Sequence, residues 1–264
     1  MSSYRNVINR FHTKKILVIG DVILDKYIQG SVSRISPEAP VPIVVEKETF
    51  FNPGGSASVA HNISSLGGKV TVVGRIGRDL EGRILKKELK KNKINIEAIF
   101  EDRTYPTILK TRIIAQHQQM VRIDREDSSN QGSEAVNENI IKFIEKNISR
   151  FDAVIISDYG KGMITAELIH KVCQLCHTRK KIVTVDPKVE HFSYYRGVTC
   201  ITPNLKEAEN AIRNIKITSK TPSLDVDSDK LKDEASIEKA GWELLRYLQL
   251  DSLLITMGEQ GMKL

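Results

Sequence analysis

Two glycines followed by small residues, Asn52-Pro-Gly-Gly-Ser-Ala-Ser-Val-Ala60, open an amphipathic pattern that Gly67 and Gly68 close. Val59, Ile63 and Leu66 recur at i, i+4 and i+7, the spacing of one helical face, so the stretch predicts a helix with an uncrowded start. Gly54 and Gly55 permit close backbone approach. The free N–H groups of a first turn, with the positive end of the helix dipole, suit an oxygen-rich or anionic small molecule. The same residues also describe an ordinary helix start against a tight neighbour. Polar residues recur after apolar runs elsewhere: Asp21 and Asp25 after KILVIG, Ser157 to Gly162 (SDYGKG) after AVII, and Asp186, Pro187 and Lys188 after IVTV. Thr202, Pro203, Asn204 and Glu207 follow VTCI, and Thr256, Met257 and Gly258 follow LLI. Any one of these clusters reads equally as a turn or a cap, Asp158 before Gly-Lys-Gly and Asn204 as an N-cap included.

The elements that must position these residues alternate. Lys15 to Gly20, Val70 to Gly74, Ile94 to Phe100, Ala153 to Ser157, Ile182 to Asp186, Val198 to Thr202 and Leu253 to Thr256 read as buried strands. Helical patterns fall at 80–91, 165–178, 204–213 and 234–249. This rhythm predicts an α/β fold, a mostly parallel central sheet with helices on both faces. Tyr27 to Val45 and Thr107 to Ile123 are β-branched without a helix between their halves, so they are expected as strands of a small flap outside the main sheet. Lys216 to Asp233 is polar and reads as a surface insertion. Ligands of a parallel sheet gather at the carboxyl ends of its strands. Five polar clusters at five such ends, with the Gly54-Gly55 helix start, predict one polar cleft.

At 264 residues, 40% hydrophobic, the chain is expected to form a single domain with a sizeable core. It shows no apolar stretch of membrane-spanning length, and the polar N-terminus does not read as a signal peptide, so a cytoplasmic protein without membrane contacts is expected. Cys173, Cys176 and His177 sit in a helical pattern without a second ligand cluster, and read as helix residues rather than a zinc site. The formal net charge is +7, but the basic residues are dispersed and aromatic residues make up 6%, which argues against nucleic acid and suits phosphorylated small substrates.

GDVILDKY (20–27), SRISPEAPVPIV (33–44), NPGG (52–55), SDYGKG (157–162), VDPK (185–188), TPNLKE (202–207) and ITMGEQGM (255–262) together resemble the ribokinase-like (PfkB) sugar kinases. Among them the pattern is most similar to the D-glycero-β-D-manno-heptose-7-phosphate kinases. The resemblance implies ATP- and Mg²⁺-dependent phosphorylation of the anomeric hydroxyl to the 1,7-bisphosphate, on the route to ADP-heptose and the lipopolysaccharide core. It implies that Asp21, Gly54 and Gly55, with Asp25, Ser58, Gln118 and Asp158 beside them, hold the sugar, and that Arg112, Lys161 and Lys188 meet phosphate oxygens. It places Asp186, Asn204, Glu207, Thr256, Gly258 and Gly261 on the nucleotide side, Glu207 reaching the metal through water. A homodimer through the flap, or lid, is also implied.

Three departures accompany it. Ser58 stands where the family usually has Asn, and Gln116-His117-Gln118-Gln119 stands where the heptose kinases usually read Arg-Asn-Gln-Gln. The family's Gly-Ala-Gly-Asp segment, whose Asp is the catalytic base, does not occur in these 264 residues. The resemblance therefore implies a kinase domain that is incomplete at its C-terminus and offers no catalytic residue. The alternative is an inactive sugar-phosphate-binding remnant, with negligible kinase activity and poor solubility expected of the chain as it stands.

Overall fold

In the computed structural model the apolar runs pair edge to edge as parallel strands; residues 2–127, 132–218 and 230–264 are described. The strands are β1 (Lys15–Gly20), β2 (Val22–Ile35), β3 (Pro42–Gly55), β4 (Lys69–Gly77), β5 (Asn95–Asp102), β6 (Ile108–Ala115), β7 (Gln118–Arg125), β8 (Ala153–Ser157), β9 (Ile182–Asp186), β10 (Cys200–Ile201), β11 (Ser252–Leu253), β12 (Ile255–Thr256) and β13 (Met262–Lys263). The helices are α1 (Ser2–Ile8), α2 (Ser56–Ser65), α3 (Leu80–Lys91), α4 (Glu134–Asn147), α5 (Ala166–Thr178), α6 (Leu205–Thr218) and α7 (Glu234–Leu248). Seven strands form the main sheet in the order β11-β10-β9-β8-β1-β4-β5, with every pairing parallel.

Side chains alternate across the central strand, so one apolar run feeds two cores. Leu17 and Ile19 pack with Ile140 and Ile144 of α4, Ile169 and Val172 of α5, and Ala211, Ile212, Ala240 and Leu244 of α6 and α7. Val18 points the other way, to Ala57 and Ala60 of α2 and Leu85 and Leu89 of α3. A buried aliphatic side chain contributes about 1.5–3 kcal/mol relative to exposure, so both faces must be covered, and helices cover both.

The second sheet, in the order β3-β2-β6-β7, is the lid. It reaches further than the sequence suggests, because β2 and β3 run fourteen residues each, paired antiparallel from Val22↔Gly55 to Ile35↔Pro42. Their roots are buried in the body, whereas Ile35, Val41, Val45, Val121 and Ile123 are exposed on the outer half. The lid is fastened at α3, where the N-cap Asp79 accepts bonds from the Gly82 N–H and from both the N–H and the hydroxyl of Thr107. Arg125, at the end of β7, lies 2.9 Å from Glu81 and 3.6 Å from Asp79.

Two expectations change, and a third lies mostly outside the described residues. The buried side of α2 is Ser56, Ala57 and Ala60, and Leu66 is 61% exposed. A helix that lies against the crossover between two sheets needs small residues there, and the Val59–Ile63–Leu66 stripe is only partly covered. The last predicted strand is broken: Ser252 and Leu253 extend the main sheet, while Ile255 and Thr256 turn away to pair with Met262 and Lys263. The insertion at 216–233 lies outside the described residues over 219–229, α6 running into its beginning. No helix among the described residues is long and apolar enough to cross a membrane.

Gly20 is the tightest point of the sheet, since a Cβ there would lie 2.1 Å from the Ser157 carbonyl oxygen and 3.0 Å from Ser56 Cβ. The Ser157 backbone, held in the sheet, cannot yield. Gly20→Ala is expected to destabilise the fold by about 3 kcal/mol, the upper end for overpacking, measured by urea denaturation. An unchanged midpoint would show that β1 and β8 do not approach so closely.

Candidate active site

Asp21 is the single residue between β1 and β2, and therefore the point where the chain leaves one sheet for the other. It is 2% exposed. Its carboxylate accepts the N–H groups of Tyr159 (3.1 Å), Lys161 (3.2 Å) and Met163 (3.0 Å), and its carbonyl accepts the N–H of Ser56 at the start of α2 (3.0 Å). Presenting these amides to one side chain requires a tight loop, which Gly160 and Gly162 supply at φ of 65° and 87°. Burial pushes the Asp21 carboxyl above its ordinary range against the pull of the three amides, and the nearby Asp158 charge adds to the push. The sugar contact expected of Asp21 is thus not open: both oxygens are engaged beneath the loop.

The same loop is held from the β4 side. The Arg75 guanidinium donates to the Gly162 carbonyl (3.1 Å) and lies 4.8 Å from the centre of the Tyr105 ring, whose hydroxyl donates to the Lys161 carbonyl (2.9 Å). Asp158 is closed off too. Its side chain is fully buried, accepting from the Tyr195 hydroxyl (2.7 Å) and the Gly160 N–H (2.8 Å), with His191 Nδ1 at 2.7 Å. That bond raises the His191 pKa against the opposing effect of desolvation. A residue expected to touch substrate is instead the internal brace of the loop.

The open groups lie on the lid side of this loop. A Cβ on Gly54 would fall 2.6 Å from Asp25 Oδ2, so glycine is required for the carboxylate to lie over the α2 entry. Asp25 pairs with Arg112 at 2.6 Å across β2 and β6, and the guanidinium lies 5.4 Å from the centre of the Tyr27 ring. Lys161 Nζ is 2.6 Å from Glu126, and Glu126 also holds Lys110 at 3.2 Å, which in turn meets Asp124 at 3.0 Å. Gly55, at φ of 57°, passes the chain into α2, and Ser58 is half-buried on its first turn. Gln118 is exposed at the β6–β7 hairpin, beside Gln116 and His117 at φ of 50° and 63°; nothing joins it to this set.

On the other side of the loop, the carboxyl ends of β9, β10 and β12 supply a second group. Ser157 and Asp186 are register partners, and Asp158 donates its N–H to the Asp186 carbonyl at 3.2 Å. The Asp186 side chain is exposed at the strand end, yet the protein around it withdraws enough solvent, with the charges of Glu207 and Asp158 adding to the effect, to push its pKa up to about 6. Asn204 and Glu207 form a reciprocal capping box at the start of α6: each donates its N–H to the other's side chain, at 2.8 and 2.9 Å. Thr256 bridges to Asn204, and Gly258 and Gly261 turn at φ of 60° and 89° with open space where a side chain would be. The half-exposed Lys188 runs along Gly160, 3.3 Å from where a Cβ would sit, and so borders both groups.

Glu126, Lys110, Tyr105, Arg75 and His191 were not singled out by the sequence. Arg75 offered a signal, as the one charge inside the apolar run of β4; the others have none until the lid and the loop meet. Among the described residues no three His, Cys, Asp or Glu side chains are grouped to hold a metal ion directly.

Known proteins resemble this chain in sequence and in fold. A sequence model of the pfkB family of carbohydrate kinases matches residues 13–264. Relatives named bifunctional protein HldE are 40% identical over 257 residues in Desulfatibacillum aliphaticivorans, covering 97% of this chain and 49% of that protein, and 40% identical over 247 residues in Helicobacter hepaticus, covering 94% and 48%. The chain spans about half the length of these curated relatives. Phosphofructokinase-2 from Escherichia coli, solved with substrates and products, superposes with a TM-score of 0.69 at 18% identity over 94% of this chain and 74% of that one. Arabidopsis thaliana ribokinase, solved with ribose and ATP, gives 0.64 at 14% over 94% and 73%. At such identities the likeness concerns the fold, which is ribokinase-like.

Two predictions follow the carboxylates. Asp21→Asn places an amide N–H₂ against backbone donors, so hydrogen exchange at Tyr159, Lys161 and Met163 is expected to quicken about a hundredfold, ~2.7 kcal/mol. Unchanged protection would remove Asp21 as the loop's anchor. For Asp186 the folded pKa lies above the ordinary value, so its stabilising effect is present at low pH and lost as pH rises through about 6. Asp186→Asn is therefore expected to raise Tm at pH 7.5, with the difference shrinking toward zero near pH 4; equal melting at both pH values would contradict the raised pKa.

Proposed function

We propose that this chain, which belongs to the pfkB family of carbohydrate kinases, serves the transfer of a phosphoryl group from ATP to the anomeric hydroxyl of D-glycero-β-D-manno-heptose 7-phosphate, its residues binding and positioning both substrates while the group that takes the hydroxyl proton is not among those identified above. The observation that carries this reading is the pairing of open groups on the lid side of the loop. A short carboxylate lies over a glycine helix start, Asp25 on Gly54, flanked by two cations from different elements, Arg112 and Lys161. Asp25 is suited to accept from sugar hydroxyls, and the α2 start and the cations to donate to phosphate oxygens. The heptose motifs SRISPEAPVPIV and SDYGKG, and the identity with the bifunctional HldE proteins across almost the whole chain, favour this sugar over others.

The residues on the far side of the loop fit a magnesium nucleotide. Gly258 and Gly261 leave room beside the backbone, and the raised Asp186 carboxyl marks an excess of negative charge that a hydrated divalent cation would relieve. Asp186 and Glu207 would hold that cation through water, Glu207 with the oxygen its cap leaves over, and Lys188 would reach the polyphosphate from between the two groups. When bound, the metal nucleotide supplies the phosphoryl group and screens its charge. The protein's part is positioning and electrostatic stabilisation, the main demands of phosphoryl transfer. Loop 157–163 is held rigid by Asp21, Asp158 and Arg75, so Lys161 is presented from a fixed backbone. In this reading the exposed apolar outer face of the lid pairs with a second copy.

The test is a phosphoryl-transfer assay with ATP, Mg²⁺ and heptose 7-phosphate, the product identified by ³¹P NMR as an anomeric phosphate. Arg112→Ala is expected to weaken sugar-phosphate binding by about 1.5–3 kcal/mol, a rise of about 10- to 150-fold in Kd, the value of a charge-assisted bond. Higher kcat/KM on fructose 6-phosphate or ribose than on heptose 7-phosphate would sink the substrate assignment.

A further inference from the structure

The cations on the lid side of the loop are all engaged. Arg112 is matched by Asp25, and Lys110, Lys161 and the more exposed Arg122 together face Asp124 and Glu126, so three positive charges stand against two negative ones. Glu126 is the shared member, with Oε1 2.6 Å from Lys161 and Oε2 3.2 Å from Lys110, each of its oxygens on a different lysine. The three side chains are 15–22% exposed, too enclosed for a solvated surface pair. The bonds from Lys161 and Lys110 outweigh the burial that would raise the Glu126 carboxyl, and hold it below the ordinary range. Neighbouring Arg125 cannot compete, since it is turned to Glu81 and Asp79.

We propose that Glu126 is an internal competitor for the substrate's phosphate: its carboxylate occupies the phosphate seat between Lys161 and Lys110, and only an anionic ligand displaces it. This rests on the reading of Lys161 as a phosphate ligand. A neutral sugar that pushed Glu126 aside would leave two partly buried ammonium groups without a counter-charge, a cost it cannot repay. A phosphate supplies the charge and the acceptor oxygens together, so the exchange is close to balanced and the lysines are never left bare. Lys161 cannot withdraw to meet the ligand elsewhere, because its N–H is bonded to Asp21 and its carbonyl to Tyr105. Glu126, at the end of β7, is the partner that moves. The lysines thus discriminate in favour of a phosphorylated sugar, and the carboxylate that keeps them paired in its absence lowers phosphate affinity while a neutral sugar leaves it in place.

The experiment compares the protein with Glu126→Gln by calorimetry, using inorganic phosphate, heptose 7-phosphate and unphosphorylated heptose as probes. Removing the competing charge is expected to tighten both phosphate-bearing ligands about tenfold, ~1.4 kcal/mol, and to leave heptose unchanged, so that the preference for the phosphorylated sugar rises. Equal or weaker phosphate binding by the variant, or no phosphate binding by either protein, overturns the proposal; weaker binding of all three sugars and phosphates would make Glu126 a direct ligand instead. Should Glu126→Gln not fold, carboxyl ¹³C NMR of the unaltered protein decides: saturating phosphate is expected to return the Glu126 titration to the ordinary carboxylate range, and an unmoved titration refutes displacement. If phosphate behaves as expected while heptose 7-phosphate neither binds nor turns over, the heptose reading fails and the Glu126 exchange stands.

Discussion

The buried carboxylate of Asp21 is the interaction on which the site depends. It sits where β1 ends and β2 begins, so its position is fixed by the central sheet on one side and the lid on the other. Its carbonyl receives the first amide of α2, and its side chain receives three amides of the 159–163 loop. A charge at 2% exposure is tolerable only when its lone pairs are filled, and here backbone N–H groups fill them. Other features follow as consequences. The loop must curl, which places glycine at 160 and 162, and β1 must approach β8 and α2 closely, which places glycine at 20.

Around that anchor the carboxylates divide into two kinds that look alike in the sequence. Asp21 and Asp158 spend their oxygens on the protein and shape the loop. Asp25, Glu126 and Asp186 face the cations or one another and retain an electrostatic demand that a ligand can meet. Burial decides the division: Asp158 is fully enclosed with a tyrosine, a histidine and an amide, whereas Asp186 is exposed at its strand end, with the charges of Glu207 and Asp158 nearby. Asn204 and Glu207 lie between the two kinds, since their capping box satisfies α6 while leaving Glu207 a further oxygen.

Much of the fold was legible because its strongest signals are local. Leu80–Lys91, Ala153–Ser157 and Ile182–Asp186 fall where the apolar spacing puts them, each bounded by polar or turn-forming residues. What was not legible depends on where a strand goes after it leaves its sheet. Nothing in Val22 to Tyr27 marks the passage from body to lid, and nothing in Leu253 to Thr256 marks the break that sends Ile255 to pair with Lys263. In the site, the motifs found the loop and the strand ends, but spacing cannot tell a carboxylate facing inward from one facing a ligand. Glu126 lies 35 residues from Lys161 and joins it only through tertiary packing, so no short pattern contains it.

Two of the lid's side-chain attachments to the body differ in kind, and that difference sets which of them a ligand can replace. At α3, Asp79 binds the Thr107 amide and hydroxyl and its own helix at once, and Arg125 adds an ionic contact, so releasing the lid there abandons several bonds together. At the loop, Glu126 and Lys161 form one ionic contact whose acceptor a phosphate can replace. Breaking the first leaves buried polar groups unpaired, at about 1–3 kcal/mol each, whereas the second can exchange without leaving a charge bare. A ligand that takes Lys161 would therefore release Glu126 at the site end of the lid while the Asp79 contacts at its root keep their bonds.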